Sequence, residues 1–323
     1  MDTERQDNRS ERYLTTERAR DRQTRDQAWR FDIHGAFVQA VLRPLAGLKI
    51  VPAYRVDSVS GRFDDRLAGA AYPVNDYGLI RQPKISAVWT PVAGWSGYAN
   101  WGRTFQVGVG AAAFLIPPRV ADLRPSINDG WESGIKFAPV PWLDGRVALW
   151  AQTATNEVRR NLNSPTGDSD NIGSTRRRGV DLQLSVRPVS TVEGWVAFTR
   201  QEARIVEPDP AAPLTRGREI DHVPRHVANA GVDWRATAAL RLSAWMQAQG
   251  SYHLERTNTV GRFGGTKLLN LGAVYAINPK LRVEAQLRNV TGRYNEYAWW
   301  DGTQTLHSPG LPRSLSVALA GSL

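Results

Sequence analysis

The chain has 323 residues, a formal net charge of +10 and a pI of about 10.2, and its length allows one large β domain or two ordinary domains. The absence of cysteine excludes a disulfide framework and a thiolate metal site. Mean hydropathy is −0.40, and no apolar run approaches the roughly 18 residues of a spanning helix. These values do not exclude membrane-spanning strands, which are apolar only at alternate positions.

Residues 1–28 are almost uniformly polar, with Arg, Asp and Glu interleaved around Tyr13 and Leu14. They contain neither the apolar core nor the small-residue cleavage site of a secretory signal. We therefore expect this segment to be the disordered remnant of a polar surface loop, and the natural protein to continue before Met1.

Apolar and polar residues alternate from Trp29 onward, which is the period of a strand with one apolar and one polar face. In the first such strand, the predicted apolar face consists of Phe31, Ile33, Gly35, Phe37 and Val41. Later segments are joined in pairs by short turns, and long polar loops separate the pairs. The predicted strands, about thirteen in number, cover residues 29–43, 48–57, 82–91, 95–105, 129–139, 146–158, 175–188, 194–206, 224–236, 240–252, 267–278, 281–290 and 312–323.

The links between these strands alternate between short and long. This alternation is typical of an antiparallel up-and-down barrel that has short turns at one end and long loops at the other. A soluble sandwich would instead have Greek-key crossings and links of similar length. The sequence therefore predicts an all-β fold, an antiparallel up-and-down transmembrane β-barrel.

Tryptophan is unusually abundant, with 12 residues. Several lie near predicted strand ends, where a membrane-interface girdle places them, or alternatively where they would anchor the core of a soluble sandwich. They are Trp29, Trp95, Trp101, Trp131, Trp142, Trp299 and Trp300.

The positive charge is scattered along the strands rather than gathered into one stripe. A nucleic-acid-binding protein concentrates its basic residues on one surface. We therefore do not predict a nucleic-acid partner, since an anionic outer-membrane surface accounts for the charge equally well.

Two short motifs near the C-terminus occur in a characteristic order. Asn289–Tyr294 ends the penultimate predicted strand, and Gly310–Ser314 leads into the last one. They resemble the asparagine–aliphatic–polar–tyrosine signature and the Gly-x-Pro-Arg entry of TonB-dependent outer-membrane receptors. Interior segments are similar to further strand motifs of the same family: Asn100–Phe105, Asp129–Phe137, Arg178–Leu182 and Val223–His226.

The resemblance extends over residues 29–323 and implies the C-terminal portion of a receptor barrel. About thirteen of the roughly 22 strands of such a barrel would be present, so the barrel would be partial. The plug domain and the first strands of the family would precede Met1.

The resemblance also implies a function. Receptors of this family import scarce nutrients such as ferric siderophores across the Gram-negative outer membrane, with energy delivered by TonB through an N-terminal segment, and they perform no covalent chemistry. The chain is thus expected not to be an enzyme. On its own, without the plug and that segment, it is expected to be unable to transport.

Two groups of residues are candidates for ligand contact. The loop containing Trp299, Trp300, Asp301 and His307 combines aromatic and polar groups, which suits a flat iron chelate. Arg176 and Arg177 would suit an anionic ligand or a lipopolysaccharide phosphate. The alternatives are an interface girdle for the tryptophans and a charged strand end for the arginines.

No other catalytic or metal site emerges. His222 and His226 are four residues apart, but the intervening Pro224 and the alternation after it favour the start of a strand over a helical ligand pair. We predict no catalytic residue, cofactor or bound metal.

A second interpretation comes from a different class of protein. The same strands could build a soluble all-β module that binds polyanions or glycans. That module would pack its apolar faces together in a closed two-layer core.

Overall fold

The computed structural model describes residues 1–107, 114, 124–160 and 169–321. The end of the last predicted strand, residues 322–323, and part of the loop after residue 106 lie outside this range. Strands dominate the described residues, and the one helical turn is the 3-10 segment Pro213–Thr215. No helix in these ranges is long and apolar enough to cross a membrane.

The strands are, in chain order, β1 Asp2–Thr16, β2 Ala19–Gln39, β3 Leu42–Leu45, β4 Leu48–Asp65, β5 Ala70–Pro73, β6 Ile80–Val92, β7 Trp95–Gln106, β8 Ser126–Val140, β9 Leu143–Thr155, β10 Val158–Arg160, β11 Ser169–Asn171, β12 Ser174–Val189, β13 Val192–Glu207, β14 His226–Arg235, β15 Leu240–Gln249, β16 Tyr252–His253, β17 Arg262–Phe263, β18 Thr266–Asn278, β19 Leu281–Arg288, β20 Glu296–Trp300, β21 Thr305–Pro309 and β22 Ser314–Gly321.

One 16-stranded antiparallel sheet contains most of these strands, in the order β1-β2-β4-β6-β7-β8-β9-β12-β13-β14-β15-β18-β19-β22, with β3 and β5 paired to β4. Each strand of the series pairs with its predecessor, so the topology is up-and-down, as predicted. Short turns such as 140–143 and 189–192 lie at one end, which we call the turn rim. Longer links such as 207–226 and 288–314 lie at the other end, the loop rim.

The sheet is open, because β1 and β22 are its two edges and no ladder joins them in the described part of the chain. A sheet that is not closed leaves edge N–H and C=O groups unpaired. The strands thus form part of a barrel, as the sequence indicated.

The two faces of the sheet differ in chemistry. On the apolar face, Leu271 of β18 lies between Ala244 of β15 and Leu287 of β19, and Leu287 in turn pairs with Leu315 of β22. Leu271 and Leu315 are nevertheless exposed. The polar face carries side-chain hydrogen bonds such as Thr199 to Asp181 at 2.8 Å. Exposure of a continuous apolar face is what a lipid environment requires.

Tryptophans occupy both ends of the apolar face. Trp101 and Trp131 are partners across β7 and β8 toward the loop rim, and both are exposed. Trp95 and Trp142 are exposed at the turn rim. These four residues thus have the positions of two interfacial girdles.

The expectation for residues 1–28 is not met. Residues 2–16 form β1 and residues 19–28 are the first half of β2, and the two are paired from Asp2↔Gly35 to Thr16↔Ala19. Ladder hydrogen bonds and cross-strand ion pairs such as Arg5 to Asp32 at 2.7 Å organise this hairpin without apolar alternation. Residue 28 is consequently inside a strand and is not a structural boundary.

The predicted face of the first alternating strand is also wrong. Phe37 and Gly35 pair with Arg55 and Asp57 of β4, so they lie on the polar face. Phe31, on the same side, packs with Phe63 and Phe114 in a buried cluster near the loop rim. Aromatic residues can therefore occupy alternate positions on the polar face of a strand when a loop covers that face.

The alternative of a soluble two-layer module is not supported. Within the described ranges, the main sheet has no second sheet packed on its apolar face. The buried clusters are small and lie where loop segments meet the strand ends, for example Ala203 and Ile205 with Ile220.

Candidate functional site

Four of the predicted ligand residues share one hairpin at the loop rim. Trp299 and Trp300 end β20, Asp301 opens the tip, and His307 lies in β21 opposite Ala298. His307 Nδ1 is 3.0 Å from Glu296 Oε2. The structure therefore brings these four residues together.

The hairpin packs on a neighbouring loop. Ala298 is buried with Tyr252 and Leu254, and Trp300 packs against this cluster. His307 meets the ring of Phe263 edge-on at 5.5 Å between centroids. Trp300 thus has a packing role, while Trp299, opposite Leu306, is only half-buried.

Asp301 has a local structural role. Its Oδ1 accepts hydrogen bonds from the backbone N–H groups of Thr303 and Gln304, both at 2.8 Å, and from the Thr303 hydroxyl at 2.9 Å. The backbone N–H groups of Gln304 and Thr303 lower the pKa of Asp301 to about 2. Its negative charge fixes the hairpin tip.

The two predicted arginines do not act together. Successive residues of a strand point to opposite faces, and both lie in β12. Arg177 is on the polar face and forms two bonds to the Glu157 carboxylate, at 2.7 and 2.8 Å. Arg176 is exposed on the opposite face and forms no ion pair with any residue the structure describes.

A set of charged side chains joins the loops above the polar face, and the sequence singled out only Arg177 and His222 among them. Arg159 donates to Asp221 Oδ1 at 3.1 Å and to its backbone carbonyl at 3.2 Å. Asp221 also contacts His222 Nδ1 at 3.1 Å and Arg256 Nε at 3.8 Å. One carboxylate therefore connects the segments around residues 159, 221 and 256.

Glu219 is a second centre of this set and is 8% exposed. Arg225 donates to its Oε1, and Arg262 Nη2 is 2.6 Å from its Oε2. His253 Nε2 lies 3.9 Å from the same carboxylate. A buried carboxylate needs such partners, because an isolated charge is costly to remove from water.

These centres are contiguous with the tryptophan hairpin. The His222 ring is 5.3 Å from the Tyr252 ring, and the His222 N–H donates to the His253 carbonyl at 2.9 Å. Tyr252 in turn packs on Ala298. We call the following residues the loop-rim network: Glu157, Arg159, Arg177, Glu219, Asp221, His222, Arg225, His253, Arg256 and Arg262.

The carboxylates of the network remain ionised. Burial by itself raises the pKa of Asp221, but the hydrogen bond from His222 and the charges of Arg159 and Arg256 bring it below its ordinary value. Burial likewise raises the pKa of Glu157, and Arg177 and Thr175 more than reverse the effect. Burial also raises the pKa of Glu219, and Arg225 and Arg262 bring this pKa below its ordinary value.

These shifts predict a pH dependence of loop packing. A pKa lowered in the folded state means that the open state binds protons more readily, so the stabilisation is complete above the ordinary carboxyl range and is lost as pH falls below about 4. The protection factors of the backbone amides in residues 208–225 and 250–265, measured by hydrogen exchange, should be equal at pH 7 and pH 5 and should fall below pH 4. Protection that persists unchanged to pH 3 would contradict this expectation.

The network has chemistry suited to binding an anion. Its five arginines face three carboxylates. The histidine atoms His222 Nε2 and His253 Nδ1 are buried and have no hydrogen-bond partner among the described residues. The described residues contain no group of three or more acidic, histidine or cysteine side chains arranged to hold a metal ion. His226 begins β14 and His222 lies in the turn before it, so the two do not form a helical ligand pair.

Comparison with known proteins gives the family. The model of the TonB dependent receptor-like β-barrel matches residues 2–290. No curated protein sequence matches significantly.

Solved structures with similar folds include three receptors. The ferric citrate transporter FecA in the unliganded form has a TM-score of 0.81 and 18% identity over 97% of this chain and 49% of its own. The siderophore receptor PiuA from Acinetobacter baumannii has a TM-score of 0.77 and 14% identity over 92% of this chain and 44% of its own. The ferric-catecholate import receptor Fiu from E. coli K12 has a TM-score of 0.77 and 18% identity over 98% of this chain and 50% of its own.

The chain thus spans about half the length of each of these receptors. The family consists of outer-membrane transporters of Gram-negative bacteria and not of enzymes. The match to the family model covers most of the sequence, and the up-and-down sheet with its exposed apolar face is the architecture of that family's barrel. The chain belongs to the TonB-dependent receptors.

Proposed function

We propose that this chain supplies the C-terminal part of the barrel of an outer-membrane uptake receptor, and that the receptor binds a negatively charged iron chelate, a ferric siderophore, at the loop rim. The observation that carries the proposal is the loop-rim network, which places an excess of arginine beside an aromatic hairpin. Similar folds named for ferric citrate and ferric-catecholate support an anionic iron complex as the ligand class.

Two exposed arginines of the network are the first candidates for ligand contact. The Arg225 side chain is 52% exposed and that of Arg262 is 32% exposed, so each can bond Glu219 and still reach solvent. Charge-assisted hydrogen bonds from arginine to carboxylate or catecholate oxygens are among the stronger polar contacts in proteins. Trp299, on the hairpin face opposite Ala298, offers a partly exposed ring surface.

A quenching experiment tests this site. Ferric citrate and a ferric tris-catecholate, added to the membrane-inserted protein, should quench tryptophan fluorescence, and Trp299→Phe should remove more of the quenching than Trp142→Phe. Trp142 is a matched control because it is exposed at the turn rim, far along the strands from the loops. Arg225→Gln with Arg262→Gln should weaken binding about tenfold or more. Equal losses at Trp142 and Trp299 would contradict the proposed site.

Transport requires more than these strands. We propose that TonB acts through a segment that is not part of this chain, and that the open edges β1 and β22 must be closed by further strands before a lumen exists. Inside a membrane the backbone groups at the edges β1 and β22 must be paired, and pairing these edges with each other or with a second copy would not recreate the lumen of a complete receptor. Expression of residues 1–323 alone in a receptor-null strain should therefore leave siderophore uptake at background. Restored uptake would refute this part of the proposal.

A further inference from the structure

Arginines gather on the apolar face of the sheet where β12 and β13 approach the loop rim. The ladder pairs Arg176 with Arg204, Arg178 with Glu202, and Val180 with Arg200. Paired residues of a ladder share a face, so these side chains all project from the side that carries the exposed Val180. We call Arg176, Arg178, Arg200, Glu202 and Arg204 the arginine collar.

The collar lies at the end of the exposed apolar band. The next pairs toward the turn rim are Leu182↔Phe198 and Leu184↔Val196, and Val196 and Phe198 are exposed. The neighbouring strand β9 adds Leu149, the partner of Val180, which is 53% exposed. A change from apolar to cationic residues along the same face marks the height at which a lipid headgroup would lie.

The charge of the collar is incompletely compensated. Arg178 donates to Glu202 at 2.7 and 3.0 Å, and Arg204 also donates to this carboxylate. Glu202 is the one acidic member, and neither Arg176 nor Arg200 forms an ion pair with another described residue. Arg176 and Arg204 are moreover directly opposite each other, and like charges in that position destabilise a sheet. An anion bound between them would remove this repulsion.

We propose that the arginine collar binds the phosphate of a phosphorylated outer-leaflet lipid whose acyl chains lie along Leu149, Val180 and Phe198. Guanidinium groups bind phosphate through paired, charge-assisted hydrogen bonds. Glu202 positions Arg178 and Arg204, while Arg176 and Arg200 supply unpaired charge. The inference rests on the proposed membrane setting. Arg225 and Arg262 of the proposed nutrient site line the same cavity as Arg178, Arg200 and Arg204, but their carboxylate partner is Glu219, which is not part of the collar.

Lipid retention tests the proposal directly. The full chain is equilibrated in mixed micelles with a bisphosphorylated glucosamine-disaccharide lipid, with its dephosphorylated form, or with inorganic phosphate, and bound lipid is counted by native mass spectrometry. Arg176→Gln with Arg200→Gln should weaken retention of the phosphorylated lipid about 30-fold, as expected when two basic groups near an anionic headgroup are removed. The dephosphorylated lipid should be retained weakly and equally by both proteins.

A matched double variant controls for the loss of charge alone. Arg241→Gln with Arg282→Gln removes two arginines from the polar face near the turn rim and should leave lipid retention unchanged. Heat-modifiable gel mobility verifies that each variant is folded. The proposal is overturned if the collar variant retains the phosphorylated lipid as well as the parent does, if the control loses as much, or if inorganic phosphate competes fully. Failure here leaves siderophore binding intact, so the two proposals are separable.

Discussion

Replacing Leu271 with arginine will destabilise the membrane-inserted protein by about 2–4 kcal/mol, the cost of a basic side chain on the lipid face near the bilayer midplane. Leu271 is 41% exposed and sits in the middle of the apolar face, between Ala244 and Leu287. On the surface of a soluble protein, a substitution at so exposed a position would change stability by about 0.5 kcal/mol or less. The size of the effect therefore reports which solvent covers this face.

The control for this prediction lies one step along the same ladder. Gln286 of β19 pairs with Gly272 on the polar face, so Gln286→Arg adds the same charge on the lumen side. We expect Gln286→Arg to shift the free energy of unfolding by less than about 1 kcal/mol, because lumen-facing positions remain hydrated. Denaturant unfolding in lipid vesicles measures both variants. Equal effects of Leu271→Arg and Gln286→Arg would remove the case for a lipid-covered face.

The alternating pattern predicted the first half of β4 and the strands of the main sheet from β6 to β22, because there one face is apolar and the other polar, and a period of two records that difference. It missed the second half of β4, residues 58–65, and β5, both of which lie in a segment predicted to be a loop. It failed for β1, whose residues are exposed on both sides and whose strand depends on pairing with β2. It also assigned Phe31 to the wrong face. An aromatic residue covered by a loop carries the same sequence signal as one facing lipid.

The candidate site could be predicted only in part. Trp299, Trp300, Asp301 and His307 are close in sequence, so a single hairpin keeps them together. The placement of Arg176 and Arg177 on opposite faces of β12 follows directly from strand periodicity and could have been predicted from the sequence.

The loop-rim network could not be predicted from the sequence. Arg159 and Asp221 are 62 positions apart, and Glu219 and Arg262 are 43 positions apart. Local spacing carries no information on which of many loop charges become partners. Only the order of the strands, which brings successive loops side by side, makes those pairs.

Replacing Asn289 with alanine will cost about 2–4 kcal/mol, although the side chain touches neither lipid nor the proposed ligand. Asn289 is 2% exposed and has a φ of +48°, a left-handed conformation that asparagine tolerates better than alanine. Its Oδ1 accepts from the Arg293 N–H at 3.0 Å and its Nδ2 donates to the Arg293 carbonyl at 2.8 Å. Alanine would lose both hydrogen bonds, at about 0.5–1.5 kcal/mol each. It would also hold the left-handed conformation at a cost of about 1 kcal/mol.

The asparagine signature at the end of the penultimate strand thus has a physical reason, which is to close the turn between β19 and the loop that leads to β22. Asn289→Gly loses both side-chain hydrogen bonds but adopts a positive φ without strain, so its effect should be intermediate. Asn278→Ala, at an exposed turn on the opposite rim, should be nearly neutral. Denaturant unfolding ranks the three variants, and hydrogen exchange of residues 289–313 should accelerate most in Asn289→Ala. If Asn278→Ala cost as much as Asn289→Ala, the turn at Asn289 would not be what joins β19 to β22.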